Sequence, residues 1–135
     1  MALKIILKPG EKIIISGAVI TNGEKTAQLL VENQVPILRQ KDILGEDEAT
    51  TPCRRIYFVI QLMYIDAGNL AMHHHTYWNL VKDVLKAAPS TLSLIDRISD
   101  QILNNRHYQA LKLAKKLIEY EEEAVAHAIR TNRNV

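Results

Sequence analysis

The chain has one cysteine, Cys53, among 135 residues. A lone cysteine excludes an internal disulfide and fits a reducing compartment, so a cytoplasmic location is expected. Long apolar runs are also missing. The longest helical apolar stretch, 56–65, carries Gln61 and falls well short of the roughly 20 residues of a membrane span, so no membrane partner is expected. Residues 1–8 hold an apolar cluster, but Lys4 interrupts it and no cleavage-like stretch follows, so it does not read as a secretory signal. Glycine is scarce, at five residues. Lys8-Pro9-Gly10-Glu11 has too few glycines for a phosphate-cradling loop and no Gly-Lys-Ser/Thr ending. Charge of one sign is not in excess either, with 17 basic against 15 acidic residues and a formal +2. That balance neither requires nor excludes a polyanionic partner.

What is present is a change of pattern at Thr51-Pro52-Cys53-Arg54-Arg55. Before it, apolar residues come in short β-branched runs broken by glycines. After it, they recur at helical spacing. Residues 1–45 hold six basic and four acidic side chains, residues 52–135 eleven and eight, and Glu46-Asp47-Glu48 forms an acidic hinge between them. The chain therefore reads as α+β: a small antiparallel β unit over 1–45, a hinge over 46–51, a bundle of about four helices over 52–130 and a frayed tail over 131–135.

Strands are expected at 3–7, 12–16, 18–21, 26–32 and 35–38, rich in isoleucine and valine. Gly17 allows a sharp bend, and Asn22-Gly23 is a strong hairpin signal between the third and fourth strands. So small a sheet leaves unpaired edges, which points to a homodimer. Thr50 or Thr51 caps the first helix and Pro52 suits its first turn. Helices are expected over 52–66, 70–88, 91–103 and 106–130. Their apolar stripes are Ile56, Val59, Ile60 and Met63; Trp78, Leu80, Val81, Val84 and Leu85; Leu94, Ile95, Ile98 and Ile102; and Leu111, Ala114, Leu117, Ile118, Tyr120 and Val125.

Chemistry-bearing residues are few. His73-His74-His75 point about 100° apart on a helix, so they do not converge on a metal ion and read as a solvated surface. Cys53 beside two arginines could be an activated nucleophile, but no histidine lies near in sequence, and a small residue of the first helical turn is the plainer reading. Glu119 and Glu121-Glu122-Glu123 read as a solvated face, partly paired with Lys115 and Lys116 at i+4. No catalytic residue, metal site or cofactor is expected, and the chain does not read as an enzyme. Binding remains. Lys4, Lys8, Arg39, Lys41, Arg54 and Arg55 are basic positions at strand ends and at the change of pattern. With residues 37–41 beside the first strand, several of them would share one edge and track phosphates. The plainer alternative is that they solubilise the fold and that the arginine pair bridges the acidic hinge.

These residues together resemble one family. Lys8-Pro9-Gly10-Glu11-Lys12, Gly17-Ala18-Val19-Ile20, Asn22-Gly23, Leu38-Arg39-Gln40-Lys41-Asp42-Ile43-Leu44, Thr51-Pro52-Cys53-Arg54-Arg55-Ile56-Tyr57-Phe58, and Tyr108-Gln109-Ala110-Leu111-Lys112 with Lys116-Leu117-Ile118-Glu119-Tyr120-Glu121 resemble FlbT, the flagellar biosynthesis repressors, in order from about residue 2 to 123. Cys53 stands where that family usually has alanine. The resemblance implies a non-catalytic regulator that acts on the 5′ untranslated region of flagellin mRNA, lowering its translation or lifetime. It also implies work alongside a second small regulator, FlaF. The rival reading is a protein–protein adaptor: the last helix carries Leu111, Leu113, Leu117, Ile118 and Tyr120 through a broad apolar arc, one side of which could bind a flagellin helix or that regulator. The first 44 residues are faintly similar to the carbon-storage regulator CsrA, a small β protein that binds mRNA leaders. That similarity implies RNA contacts at Lys8 and Arg39 in a dimer, and no DNA partner. This chain has Leu7-Lys8 where that family carries two arginines.

Overall fold

The structure is a computed structural model that describes residues 2–133. The chain is α+β, with strands first and helices after. It divides into two units, Met1–Ile43 with Ile65–Gly68, and Leu44–Tyr64 with Asn69–Val135.

The first unit is built on alternation. In β1 (Leu3–Leu7), Ile5 and Leu7 are buried while Lys4 and Ile6 are exposed, the period of two of a strand with one covered face. β1 pairs antiparallel with β4 (Ala27–Val31), from Leu3 opposite Val31 to Leu7 opposite Ala27. β2 (Lys12–Ile15) lies between β3 (Ala18–Thr21) and β5 (Ile37–Arg39), antiparallel to both. Ile13 and Ile14 are both buried, so this central strand is covered on both faces. Ile5, Leu7 and Ile13 form a core, with Ile15, Leu29, Val31 and Ile37 packed against it.

Three expectations change here. The strands make two sheets, ordered β1-β4 and β3-β2-β5, rather than one. Asn22-Gly23 does not close a hairpin. The two-residue loop Ser16-Gly17, with Ser16 at φ 55°, already pairs β3 with β2, which leaves β4 to reach β1. The Asn22 amide instead donates to the carbonyls of Leu7 (3.2 Å), Lys8 (2.8 Å) and Lys25 (2.9 Å), tying two loops together. Finally, β5 lies beside β2 and not beside β1, with Arg39 opposite Ile13.

The second unit holds α1 (Pro52–Ile65), α2 (Leu70–Ala87), α3 (Leu92–Leu103) and α4 (His107–Arg133). Thr51 caps α1, its Oγ1 accepting the Arg54 N–H at 3.2 Å, with Pro52 in the first turn as expected. Cys53, Ile56, Tyr57, Val59, Ile60 and Met63 bury one side of α1. Gln61 joins them, its Nε2 donating to the Leu44 carbonyl (2.9 Å) and its Oε1 accepting the Leu44 N–H (2.8 Å). Ala110, Leu111, Ala114 and Leu117 of α4 pack on the α3 side, where Ile95, Ile98 and Ile102 are buried.

The buried face of α2 is rotated from the expected one. It carries His73, Tyr77, Val81 and Val84, at steps of three and four. Tyr77 is fully buried because its hydroxyl finds Ser99 Oγ at 2.8 Å. Trp78 turns outward and stays 39% exposed. Reading His73 as solvated surface was therefore wrong, since it shares the Tyr77 face. Tyr120 and Val125 are also exposed rather than core, because α4 continues without cover: every described side chain from Glu122 to Asn132 is exposed. The helix runs through Arg133, past the expected start of fraying at 131, and residues 134–135 lie outside the described ones.

Candidate nucleic-acid interface

A groove of about 830 Å³ opens on the first unit. Two turns build it. One is Lys8-Pro9-Gly10-Glu11, where Gly10 takes φ 72° and its N–H bonds the Gly23 carbonyl at 3.0 Å. The other is the 3₁₀ turn Gln40–Asp42 that follows β5. Lys8, Arg39 and Lys41 line the groove together with Ile6, Pro9, Gly10, Glu11 and Gln40. Three of the six basic residues singled out in the sequence thus come together.

Arg39 is the most tightly held of them. Its Nη2 donates to the Ile6 carbonyl at 2.8 Å and to Glu11 Oε2 at 3.1 Å. Glu11 Oε1 accepts the Lys8 N–H at 2.9 Å. That backbone donor and the Arg39 guanidinium hold the Glu11 carboxyl below the usual carboxylate range. The Arg39 side chain keeps 40% of its exposure, so its fork is not closed off. Gln40 Oε1 accepts the Lys12 N–H at 2.6 Å, which fixes the amide and leaves its NH₂ donors to spare. The groove thus offers two lysine ammoniums, a guanidinium edge and an amide donor, a set suited to phosphate oxygens and to base edges.

The other three basic residues are not in it. Lys4 sits on the outer face of β1, opposite Leu30. Arg54 and Arg55 belong to the second unit. Arg54 donates to Glu122 Oε1 at 3.1 Å and to Thr50 Oγ1 at 3.4 Å. Arg54 therefore does not bridge the acidic hinge. Glu48 of that hinge instead accepts the Gly45 N–H at 2.9 Å. Arg55 is exposed.

Glu121 is half-buried, not part of a solvated face, and its Oε2 accepts the Cys53 N–H at 3.1 Å. Burial, and then the Glu121 charge, push the Cys53 thiol up to about 12. That is the opposite of an activated nucleophile, so Cys53 is a small buried residue of the first turn. Among the described residues no three His, Cys, Asp or Glu side chains gather as a metal site, and no helix is long and apolar enough to cross a membrane.

Sequence reasoning missed Ile6, Glu11 and Gln40. A signal existed for Glu11: it follows Lys8 by three residues across a Pro-Gly turn, the spacing at which a side chain reaches back to a backbone N–H. Gln40 carried no such signal, because its partner Lys12 is 28 positions away.

The family model described as "Flagellar protein FlbT" matches residues 3–125. The chain is 48% identical over 124 residues to the probable flagellum biosynthesis repressor protein FlbT 1 of Bradyrhizobium diazoefficiens, covering 91% of this chain and 84% of that one. It is 40% identical over 129 residues to the probable flagellum biosynthesis repressor protein FlbT of Caulobacter sp. strain K31, covering 94% and 98%. It is 37% identical over 129 residues to the flagellum biosynthesis repressor protein FlbT of Caulobacter vibrioides, covering 94% and 92%. No solved structure matches the chain. With the match running through both units, the chain belongs to the FlbT family of flagellar proteins.

Proposed function

We propose that the chain is a cytoplasmic, non-catalytic regulator that represses flagellum biosynthesis by binding the 5′ untranslated region of flagellin mRNA. Binding there lowers translation or hastens decay of the message. The observation that carries this reading is the convergence of Lys8, Arg39 and Lys41 on one groove beside Gln40. Phosphate contacts from the cations position the strand, and the Gln40 amide with the groove's backbone groups reads unpaired bases. Lys4, Arg54 and Arg55 do not line that groove. The protein works as a homodimer in which strand edges of the two sheets are covered.

Binding of a flagellin leader RNA across a salt series tests the reading. Log affinity should fall linearly with log salt, and Arg39→Ala should flatten the slope by about 0.7, one phosphate on a single strand. Affinity no greater than for an unrelated RNA would sink it, and an unchanged slope would remove Arg39 from the site.

A second reading has its own support. The exposed stretch of α4 from Glu122 onward carries Val125 and Ile129 on one side, bordering a pocket of about 320 Å³ with Thr51 and Arg54. A flagellin helix or the regulator FlaF would bind there, and the effect on mRNA would be indirect. Leu111 and Leu117 cannot take part, because the bundle buries them. Co-purification with flagellin or FlaF that survives nuclease treatment, and is lost in Val125→Asp, would favour this reading.

A further inference from the structure

The groove contains an acid that no phosphate-binding role requires. Glu11 takes one backbone donor, the Lys8 N–H at 2.9 Å, and one guanidinium donor, Arg39 Nη2 at 3.1 Å. Those are the kinds of donor that an anionic oxygen pair would use. Arg39 does not need Glu11 to hold its place, because the Ile6 carbonyl accepts from the same Nη2 at 2.8 Å. The carboxylate therefore occupies a guanidinium that is already positioned.

We propose that Glu11 is a built-in competitor that sets which anions the groove accepts. This rests on the reading of the groove as an RNA site. A single phosphate gains little by displacing Glu11, since it exchanges one anion for another that the backbone already tethers. A chain of phosphates also engages the ammonium groups of Lys8 and Lys41, and so displaces the carboxylate. The groove then takes a polynucleotide and refuses a free nucleotide. Lys8 and Lys41 line the same groove as the contested guanidinium.

Glu11→Gln tests this directly. The glutamine oxygen still accepts the Lys8 N–H, so the turn is kept, and an unchanged thermal midpoint checks that. Binding is measured for uridine monophosphate, tripolyphosphate and a single-stranded oligouridylate over a salt series. Glu24→Gln, an exposed acid of the same unit outside the groove, controls for net charge. Each variant is also placed on Arg39→Ala. Glu11→Gln should tighten oligouridylate by about three- to fivefold, the scale of a solvent-exposed ion pair. It should also admit uridine monophosphate. Glu24→Gln should shift either by less than about twofold. The gain should vanish on Arg39→Ala.

Oligouridylate binding that is unchanged or weakened by Glu11→Gln overturns the role of Glu11 and leaves the RNA reading standing. A gain for tripolyphosphate and uridine monophosphate, with no binding of oligouridylate or leader RNA, overturns the RNA reading and leaves Glu11 as a competitor. Binding of none of the probes, with leader RNA also unbound, overturns both.

Discussion

The Glu121 carboxylate of α4 accepts the backbone N–H of Cys53 at 3.1 Å, joining two residues 68 positions apart. It supplies an acceptor to a free donor in the first turn of α1, where the helix dipole favours negative charge. The same carboxylate raises the thiol it sits beside.

Cys53 should therefore resist alkylation. With the thiol at about 12 instead of an ordinary 9.0, its thiolate fraction near pH 8 falls by roughly a thousandfold. Iodoacetamide should label the denatured chain readily and the native chain far more slowly. Glu121→Gln, which removes the charge and keeps an acceptor, should lower the thiol pKa and speed native labelling.

Alkali should destabilise the fold. Tyr77 is likewise pushed up to about 12, mainly by burial. Above their ordinary values of 9.0 and 10.0 the unfolded chain releases protons that the folded chain keeps, so stability falls as pH rises from about 9 toward 12. Urea midpoints across that range check this. Tyr77→Phe should flatten the upper part of the decline while losing the bond to Ser99.

Acid should act through His107. Burial and the neighbouring His74 hold its pKa below the ordinary 6.5. The Nε2 atoms of both rings are buried without a hydrogen-bond partner among the described residues. Between the two pKa values the unfolded chain binds the proton that the folded chain refuses, so stability is present above 6.5 and is lost as pH falls through the folded value. His107→Gln should lose less stability than wild type between pH 7 and pH 5 in thermal melts.

Gln61→Leu should be among the costlier single changes of the helical unit. It keeps the volume but strips both partners from the Leu44 peptide. A loss of about 1–2 kcal/mol is expected, the cost of leaving a half-buried donor and acceptor unmade. Denaturant unfolding measures it. Arg54→Ala should by contrast cost under about 1 kcal/mol, because its pair with Glu122 is solvent-exposed.

The helices were legible because caps and period-3.6 stripes are local signals. Thr51-Pro52 marked the start of α1, and α3 buries Ile95, Ile98 and Ile102 as its spacing indicated. The rotation of α2 was not legible, because only Ser99, 22 positions on, makes Tyr77 rather than Trp78 the buried aromatic. Strand existence was readable and strand partnership was not. Nothing in 26–32 says that β4 seeks β1 across the intervening hairpin. In the groove the cations were visible as residue types and the reach of Glu11 back to Lys8 was visible in their spacing, but the competition of Glu11 for a guanidinium was not. That competition depends on Arg39, 28 positions away.

Asn22-Gly23 has one more consequence, which concerns ageing rather than folding. Asparagine before glycine is the pair most prone to spontaneous deamidation. The following backbone nitrogen attacks the side-chain carbonyl, ammonia leaves, and the cyclic imide hydrolyses to aspartate or isoaspartate. Here the leaving nitrogen is bonded to three carbonyls, so the native β unit shields its own weakest bond. The product would face those same three carbonyls with an oxygen that cannot donate. Damage at Asn22 therefore begins when this unit opens, and once made it keeps the unit from closing as before.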